Sequence, residues 1–256
     1  MNVIREIAGI VFDRMFYNPA IAFASEKFGT PAVSDGYEMK GVRIVKDGMV
    51  SLAVLDIGNS EVALIDAGYD KSGKAVLSEL YRRGLGPEAV KAILLTHGHI
   101  DHIGAAAMFP KAEIMALAED VAMAEGRTGH KGFLPCLLPV KLTGLKVTRI
   151  LSDGETFKLG NLNFRVFSIP GHTAGSAAFL VGGVLFLGDS AFATRDSGLR
   201  EASCPFSEDM KRNRASLARL GRLLDGENNS VEAIIFSHSS PLTRGIEPLR
   251  EFAQGR

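Results

Sequence analysis

The chain has 256 residues, 46% of them hydrophobic, with 29 basic and 29 acidic side chains and a formal net charge of +0. That length suits one large domain, or one domain with an extension, and supplies apolar material for a sizeable core. A balanced charge with no block of one sign argues against a surface built to coat nucleic acid, which needs a basic patch.

The chain opens on an apolar stripe at helical spacing: Val3, Ile4, Ile7, Ile10, Val11, Met15 and Phe16. Arg5, Glu6, Asp13 and Arg14 interrupt it, so no transmembrane span fits. Ala22-Phe23-Ala24 resembles a signal-cleavage site, but the same charges spoil the apolar region before it. The expectation for residues 1–40 is a helical extension: a helix to about Phe16, a break at Asn18-Pro19, and a face that packs on the domain or on a second copy in a homodimer. The main domain is expected over 41–256. Cys136 and Cys204, neither in a C-x-x-C pair, are too few for a disulfide framework and fit a reducing, cytoplasmic setting as free thiols.

From residue 42 the pattern changes to short β-rich runs at 42–45, 50–57 and 62–65, punctuated by the turn signals Asp47-Gly48 and Gly58-Asn59. A helix is expected over 71–83, with Gly84 as its stop. Residues 92–95 read as a buried strand, 103–109 as the start of a helix, 112–115 as a strand and 118–124 as a helix. The stretch 126–139, with three glycines, two prolines and the apolar Phe133, Leu134, Leu137 and Leu138, reads as a mobile segment over a pocket. Strands resume at 146–150, 157–159, 163–169, 177–181 and 184–187, with Gly182-Gly183 as a hairpin turn. A helix over 208–224, a strand over 231–236 and a closing helix over 246–253 finish the chain. Strands then helices, twice over, predict two sheets packed face to face with helices outside, and ligand-bearing turns gathered at one edge.

The stretch Thr96-His97-Gly98-His99-Ile100-Asp101-His102 carries the chemistry. Imidazole and carboxylate are ligands that divalent zinc, manganese or iron accept. In an extended segment residues two apart point the same way, so His97 and His99 can grip one ion together. Asp101 and His102 are adjacent and need a turn to converge; Gly98 and Gly104 are expected to supply the backbone freedom.

With Asp66-Ala67-Gly68, Pro170-Gly171-His172-Thr173, Leu187-Gly188-Asp189-Ser190 and Ser237-His238-Ser239 following in order, the chain resembles the metallo-β-lactamase-fold superfamily over roughly residues 42–240. The resemblance implies an α/β fold, a four-layer αββα sandwich of two mixed β-sheets flanked by helices. It also implies two metal positions, one held by His97, His99 and His172, the other by Asp101, His102 and His238, with Asp189 bridging. Asp66 is implied to orient a ligand from outside the coordination sphere, as carboxylates commonly do for metal-bound histidines. The metals are expected to be zinc, with iron or manganese as alternatives the donor set also serves.

Two divalent ions against Asp101, Asp189 and a bridging hydroxide leave roughly +1, a site that attracts an oxyanion. The hydroxide would attack a carbonyl with Asp101 or Asp189 orienting it, and no protein nucleophile is needed. Within the resemblance, Asp189 stands where true β-lactamases carry another residue. Phe192 stands where lactone hydrolases of the fold carry a Tyr. The Gly188–Phe192 and Pro170–Thr173 stretches are similar to the glyoxalase II group, although the sequence closes at Arg256, before the helical C-terminal domain usual there, so glutathione itself is not implied. The expected function is hydrolysis of a small ester or thioester. A lactonase, a mononuclear iron oxidoreductase of sulfur compounds and a non-catalytic ligand-binding member of the fold stand as alternatives. Phe133, Leu137, Phe192 and His130 are the expected substrate-pocket residues.

Overall fold

The computed structural model describes residues 35–133, 135–138, 140–226 and 231–255. The helix expected to about Phe16 and the break at Asn18-Pro19 lie outside them.

Strands β1 (Glu38–Met39), β2 (Val42–Asp47), β3 (Val50–Gly58), β4 (Glu61–Ile65), β5 (Val90–Leu94), β6 (Glu113–Leu117) and β7 (Arg149–Leu151) form one sheet in sequence order. It is antiparallel from β1 to β4 and parallel from β4 to β7. The second sheet contains β8 (Thr156–Leu159), β9 (Leu162–Ser168), β10 (Ala177–Val181) and β11 (Val184–Phe186). β12 (Ala191–Ala193) and β13 (Leu199–Glu201) make a separate short ribbon, and β14 (Ala233–Ile235) returns to pair parallel with β11, giving the order β14-β11-β10-β9-β8. The helices are α1 (Lys74–Arg82), α2 (Ile100–Ile103), α3 (Ala118–Ala124), α4 (Met210–Gly226) and α5 (Glu247–Ala253).

Three buried cores separate four layers. Successive side chains of a strand face opposite ways, and β3 shows the consequence. Ala53, Leu55 and Ile57 enter the core between the sheets, facing Phe164, Val166 and Phe179 of the second sheet. Leu52 and Val54 enter the outer core with Val76 and Leu80 of α1 and Ile103 of α2. On the other outer face, Phe167, Ala178 and Leu185 pack under Leu217, Leu220 and Leu224 of α4 and Leu249 of α5. A strand buried on both sides loses its polar alternation, which is why β3, β4 and β5 read as continuous apolar runs. The αββα sandwich is therefore the observed architecture.

Some boundaries move. The helix expected over 103–109 is instead α2, which begins at Ile100 and so includes Asp101 and His102, followed by a 3-10 turn at Ala106–Met108. Gly104 caps α2 in an ordinary helical conformation, at φ −46°. Its role is space rather than backbone freedom: a Cβ there would sit 2.4 Å from the Tyr69 carbonyl oxygen. The β12–β13 ribbon has three residues a side, too few for a period to show.

On α1, Glu79 is 6% exposed and ringed by Arg43, Arg82 and Arg83 at 2.6–2.8 Å. Burial alone would push its carboxyl up, but the hydrogen bonds and charges of Arg82, Arg83 and Arg43 outweigh it and hold it at about 2. A depressed folded pKa contributes stability that is present above the unfolded value and fades as pH falls toward the folded one. Glu79→Gln is therefore expected to cost about 2 kcal/mol at pH 7, with the difference from wild type shrinking between pH 4.5 and 2. Urea unfolding of both chains across that range checks it; a difference independent of pH would sink the assignment.

Candidate metal centre

The site forms where strand ends meet at one edge of the sandwich. Thr96 to His99 follow β5, Asp101 and His102 lie in α2, His172 sits in the turn after β9, Asp189 in a 3-10 turn after β11, and His238 just beyond β14. Two backbone hydrogen bonds join the sheets at this edge. Ala177 N–H donates to Thr96 O at 2.7 Å, and Ser51 N–H donates to Ser237 O at 2.8 Å. Gly171 is held at φ +142°, where a Cβ would meet the Asn213 amide at 2.1 Å. Only glycine lets the turn carrying His172 press against the start of α4.

The seven side chains are all buried and fall into two groups, each with its donor atoms within 4.8 Å of one another: His97, His99 and His172, and Asp101, His102, Asp189 and His238. In the first, His172 Nε2 lies 3.2 Å from His97 Nε2 and 3.1 Å from His99 Nδ1. In the second, His238 Nε2 lies 3.2 Å from both Asp101 Oδ2 and Asp189 Oδ2, and His102 Nε2 lies 3.3 Å from Asp189 Oδ1. Asp189 Oδ2 is also 3.8 Å from His172 Nε2, so its carboxylate stands against both groups.

The outward nitrogens decide which atoms face inward. His238 Nδ1 donates to Met49 O at 2.8 Å. Asp66, 1% exposed, accepts from His102 Nδ1 at 2.8 Å and from the Thr96 hydroxyl at 2.7 Å. That hydroxyl, its proton directed to Asp66, accepts from His97 Nδ1 at 3.1 Å. His172 Nδ1 donates to Ser207 Oγ at 3.0 Å, whose own proton goes to Ser203 O. Four imidazoles thus turn Nε2 inward, and His99 turns Nδ1 inward. His102 Nε2 and Asp189 Oδ1 are buried without a hydrogen-bond partner. Buried ring nitrogens and carboxylate oxygens this close together away from water need a proton or a cation among them. The donor set fits divalent metal ions.

Charge follows the same geometry. Burial pushes His97 and His99 well below the ordinary histidine value, and His172 down to about 4. For Asp101 and Asp189 burial alone would push up, but His102 and His238 hold both below the usual carboxylate range. Burial would lower His238, yet Asp189 and Asp101 raise it to about 10; Asp189, Asp101 and Asp66 likewise hold His102 well above its ordinary value.

Asp120 was not singled out from the sequence. It is an acid in the first turn of α3, a position that gives no signal beyond helix start. Buried to 1%, its carboxylate accepts from Gly98 N–H, Gly175 N–H and the Thr173 hydroxyl at 2.7–2.8 Å. It ties the His97–His99 loop to the turn that carries His172. Ser207 and the Met49 carbonyl were missed for the same reason: a hydrogen bond to a ligand leaves no pattern along the chain.

The segment from 126 comes back to the site through His130, whose ring centre lies 5.3 Å from that of His99. Phe133 and Leu137 are 78% and 66% exposed, so their side chains face solvent. Phe192 is 8% exposed, its ring 6.4 Å from that of His238 and its other contact the Arg200 guanidinium, 5.0 Å from the ring centre. Among the described residues no helix is long and apolar enough to cross a membrane.

A four-layer αββα sandwich with a His- and Asp-rich cluster at its edge defines a class, and comparison with known proteins agrees. The profile of the metallo-beta-lactamase superfamily matches residues 45–238. The chain belongs to the metallo-beta-lactamase superfamily. It is 30% identical over 192 residues to a hydroxyacylglutathione hydrolase of Xanthomonas axonopodis pv. citri, a match covering 75% of this chain and 66% of that enzyme. It is 31% identical over 214 residues to the uncharacterized protein YobT of Bacillus subtilis, covering 76% of this chain and 85% of YobT. In fold it resembles BJP-1, a subclass B3 metallo-beta-lactamase of Bradyrhizobium japonicum, with a TM-score of 0.65 at 20% identity over 90% of this chain and 93% of the other. A metallo-beta-lactamase family protein of Thermus thermophilus superposes with a TM-score of 0.61 at 24% identity over 85% of this chain and 79% of the other. These two likenesses show the fold alone.

Because the carboxylates of Asp189 and Asp101 favour the protonated forms of His102 and His238, loading the four-residue group is expected to release protons. Affinity at that group should rise with pH. Calorimetric titration of metal-free protein in buffers of different ionisation enthalpy measures the release; an enthalpy independent of buffer would refute it.

Proposed function

We propose that this protein is a dinuclear metal-dependent hydrolase of a small ester or thioester. The observation that carries the reading is the convergence of seven donor residues in two adjacent groups, with Asp189 against both. The thioester is favoured by the hydroxyacylglutathione hydrolases among the relatives, of which the match spans 66% of the length. Phe192, lacking a hydroxyl, gives a lactone no donor at that position and favours the ester or thioester over the lactonase reading.

Bound divalent ions, zinc first, would supply a nucleophile from water near neutral pH and polarise the carbonyl oxygen. The chain's own residues do the rest. His97, His99 and His172 would hold one ion and Asp101, His102 and His238 the other, with Asp189, which stands against both groups, shared between them. Asp101 or Asp189, kept ionised by the histidines around them, would orient the attacking water and take up its proton. Asp66 and Thr96 fix His102 and His97, which limits the motion that misplaces reacting groups.

Elemental analysis of fully loaded protein should give about two divalent ions per chain; saturation at one, with iron bound, would favour the oxidoreductase alternative. Asp189→Asn should keep the fold, weaken the second ion, and lower ester or thioester turnover by more than the roughly 10–100-fold typical of changes outside the coordination sphere. Wild-type metal content and turnover in that variant would refute the bridging role.

Phe133 and Leu137, exposed and following His130 in the chain, would contribute about 0.8 kcal/mol per CH₂ of any acyl chain they cover. The double substitution to Ala should raise KM for long-chain esters more than for acetyl esters. A chain-length series on both proteins tests this, and equal losses at every length would reject the acyl contact.

A further inference from the structure

His97, His102, His172 and His238 each have an outward nitrogen that donates to a named acceptor: the Thr96 hydroxyl, Asp66, Ser207 and the Met49 carbonyl. His99 is different. Its Nδ1 faces His172, so its Nε2 points away, and that nitrogen is buried without a hydrogen-bond partner. The residue is 6% exposed, so water does not supply the acceptor freely. His130 Nδ1 is also buried and unpartnered, on a ring whose centre lies 5.3 Å away, tilted by 56°. Two neighbouring rings thus each carry a buried nitrogen without a partner, and an unmade hydrogen bond at a buried group is costly.

We infer that His130 is a positioning residue for His99: its Nδ1 accepts the His99 Nε2 proton and fixes the ring with Nδ1 toward the metal. Rotation of the His130 ring about its side-chain bonds brings the nitrogens to the roughly 3 Å of an N–H···N bond. Gly132, two residues on, packs against Ser207, which holds His172. The same segment therefore fixes two of the three histidines of one group. The inference rests on the reading of the site as a metal centre and not on the choice of substrate.

The test is zinc competition against a chromophoric chelator, on the full chain, for wild type, His130→Ala, His130→Asn and the exposed control Arg127→Ala. His130→Ala should weaken one of the two zinc-binding steps by about 10–100-fold. His130→Asn should restore it to within a few-fold, because the Asn Oδ1 occupies the place of His Nδ1 and accepts the same proton; Arg127→Ala should match wild type. In zinc-loaded protein the His99 Nε2 proton should give a slowly exchanging downfield NMR signal in wild type and His130→Asn, lost in His130→Ala. Unchanged affinity in His130→Ala, or an equal fall in His130→Asn, overturns the inference while leaving the metal centre standing. A wild-type chain that binds no zinc overturns both.

Discussion

The carboxylate of Asp66 is the contact on which the rest of the site depends. It sits at the end of β4 with φ +62°, a strained conformation for a residue with a side chain, and is buried from water. A buried charge survives only if its oxygens are satisfied. Here they accept from Thr96 N–H, the Thr96 hydroxyl and His102 Nδ1, while Ala67 N–H donates to His102 O. Those bonds lock the end of β4 to the end of β5 and to α2. One residue thereby sets the direction of His102, the tautomer of His97 through Thr96, and the position of the loop between them.

The sandwich holds that arrangement from below. Three apolar cores hold the four layers together, and the parallel pairs β4–β5 and β11–β14 bring their carboxyl ends to one edge. Ligands from both sheets meet there, joined by the Ala177–Thr96 and Ser51–Ser237 backbone bonds. Rings held this way cannot turn away from one another when no cation is present. The fold itself holds the donor atoms close together, a set that fits divalent metal ions.

Asp120 performs for His172 what Asp66 performs for His102. Each is a buried carboxylate that accepts three hydrogen bonds and joins two loops. Burial raises Asp120 in pKa while its three donors oppose the rise, and none of those donors is a metal ligand. The two carboxylates tie these loops together.

The sequence by itself determined the class of fold and the seven donor residues. The apolar runs at β3, β4 and β5 have the length and flanking turns of doubly buried strands, and the donors stand in short motifs whose spacing survives in the chain. The resemblance also implied a supporting role for Asp66, in Ile65-Asp66-Ala67-Gly68 at the end of an apolar strand. Only the tertiary structure decided how Asp101 and His102 converge, since α2 exists by packing of Ile103 and Gly104 against the turn at Ala67–Tyr69 rather than by any helical period in four residues. It alone paired His97, His172 and His238 with Thr96, Ser207 and Met49, and set Asp120 between two loops more than fifty residues apart. Those partners are single hydrogen bonds between distant segments. Hydrophobic periodicity is repeated along a strand and so can be read from the chain, whereas one hydrogen bond across the fold leaves no repeat to read.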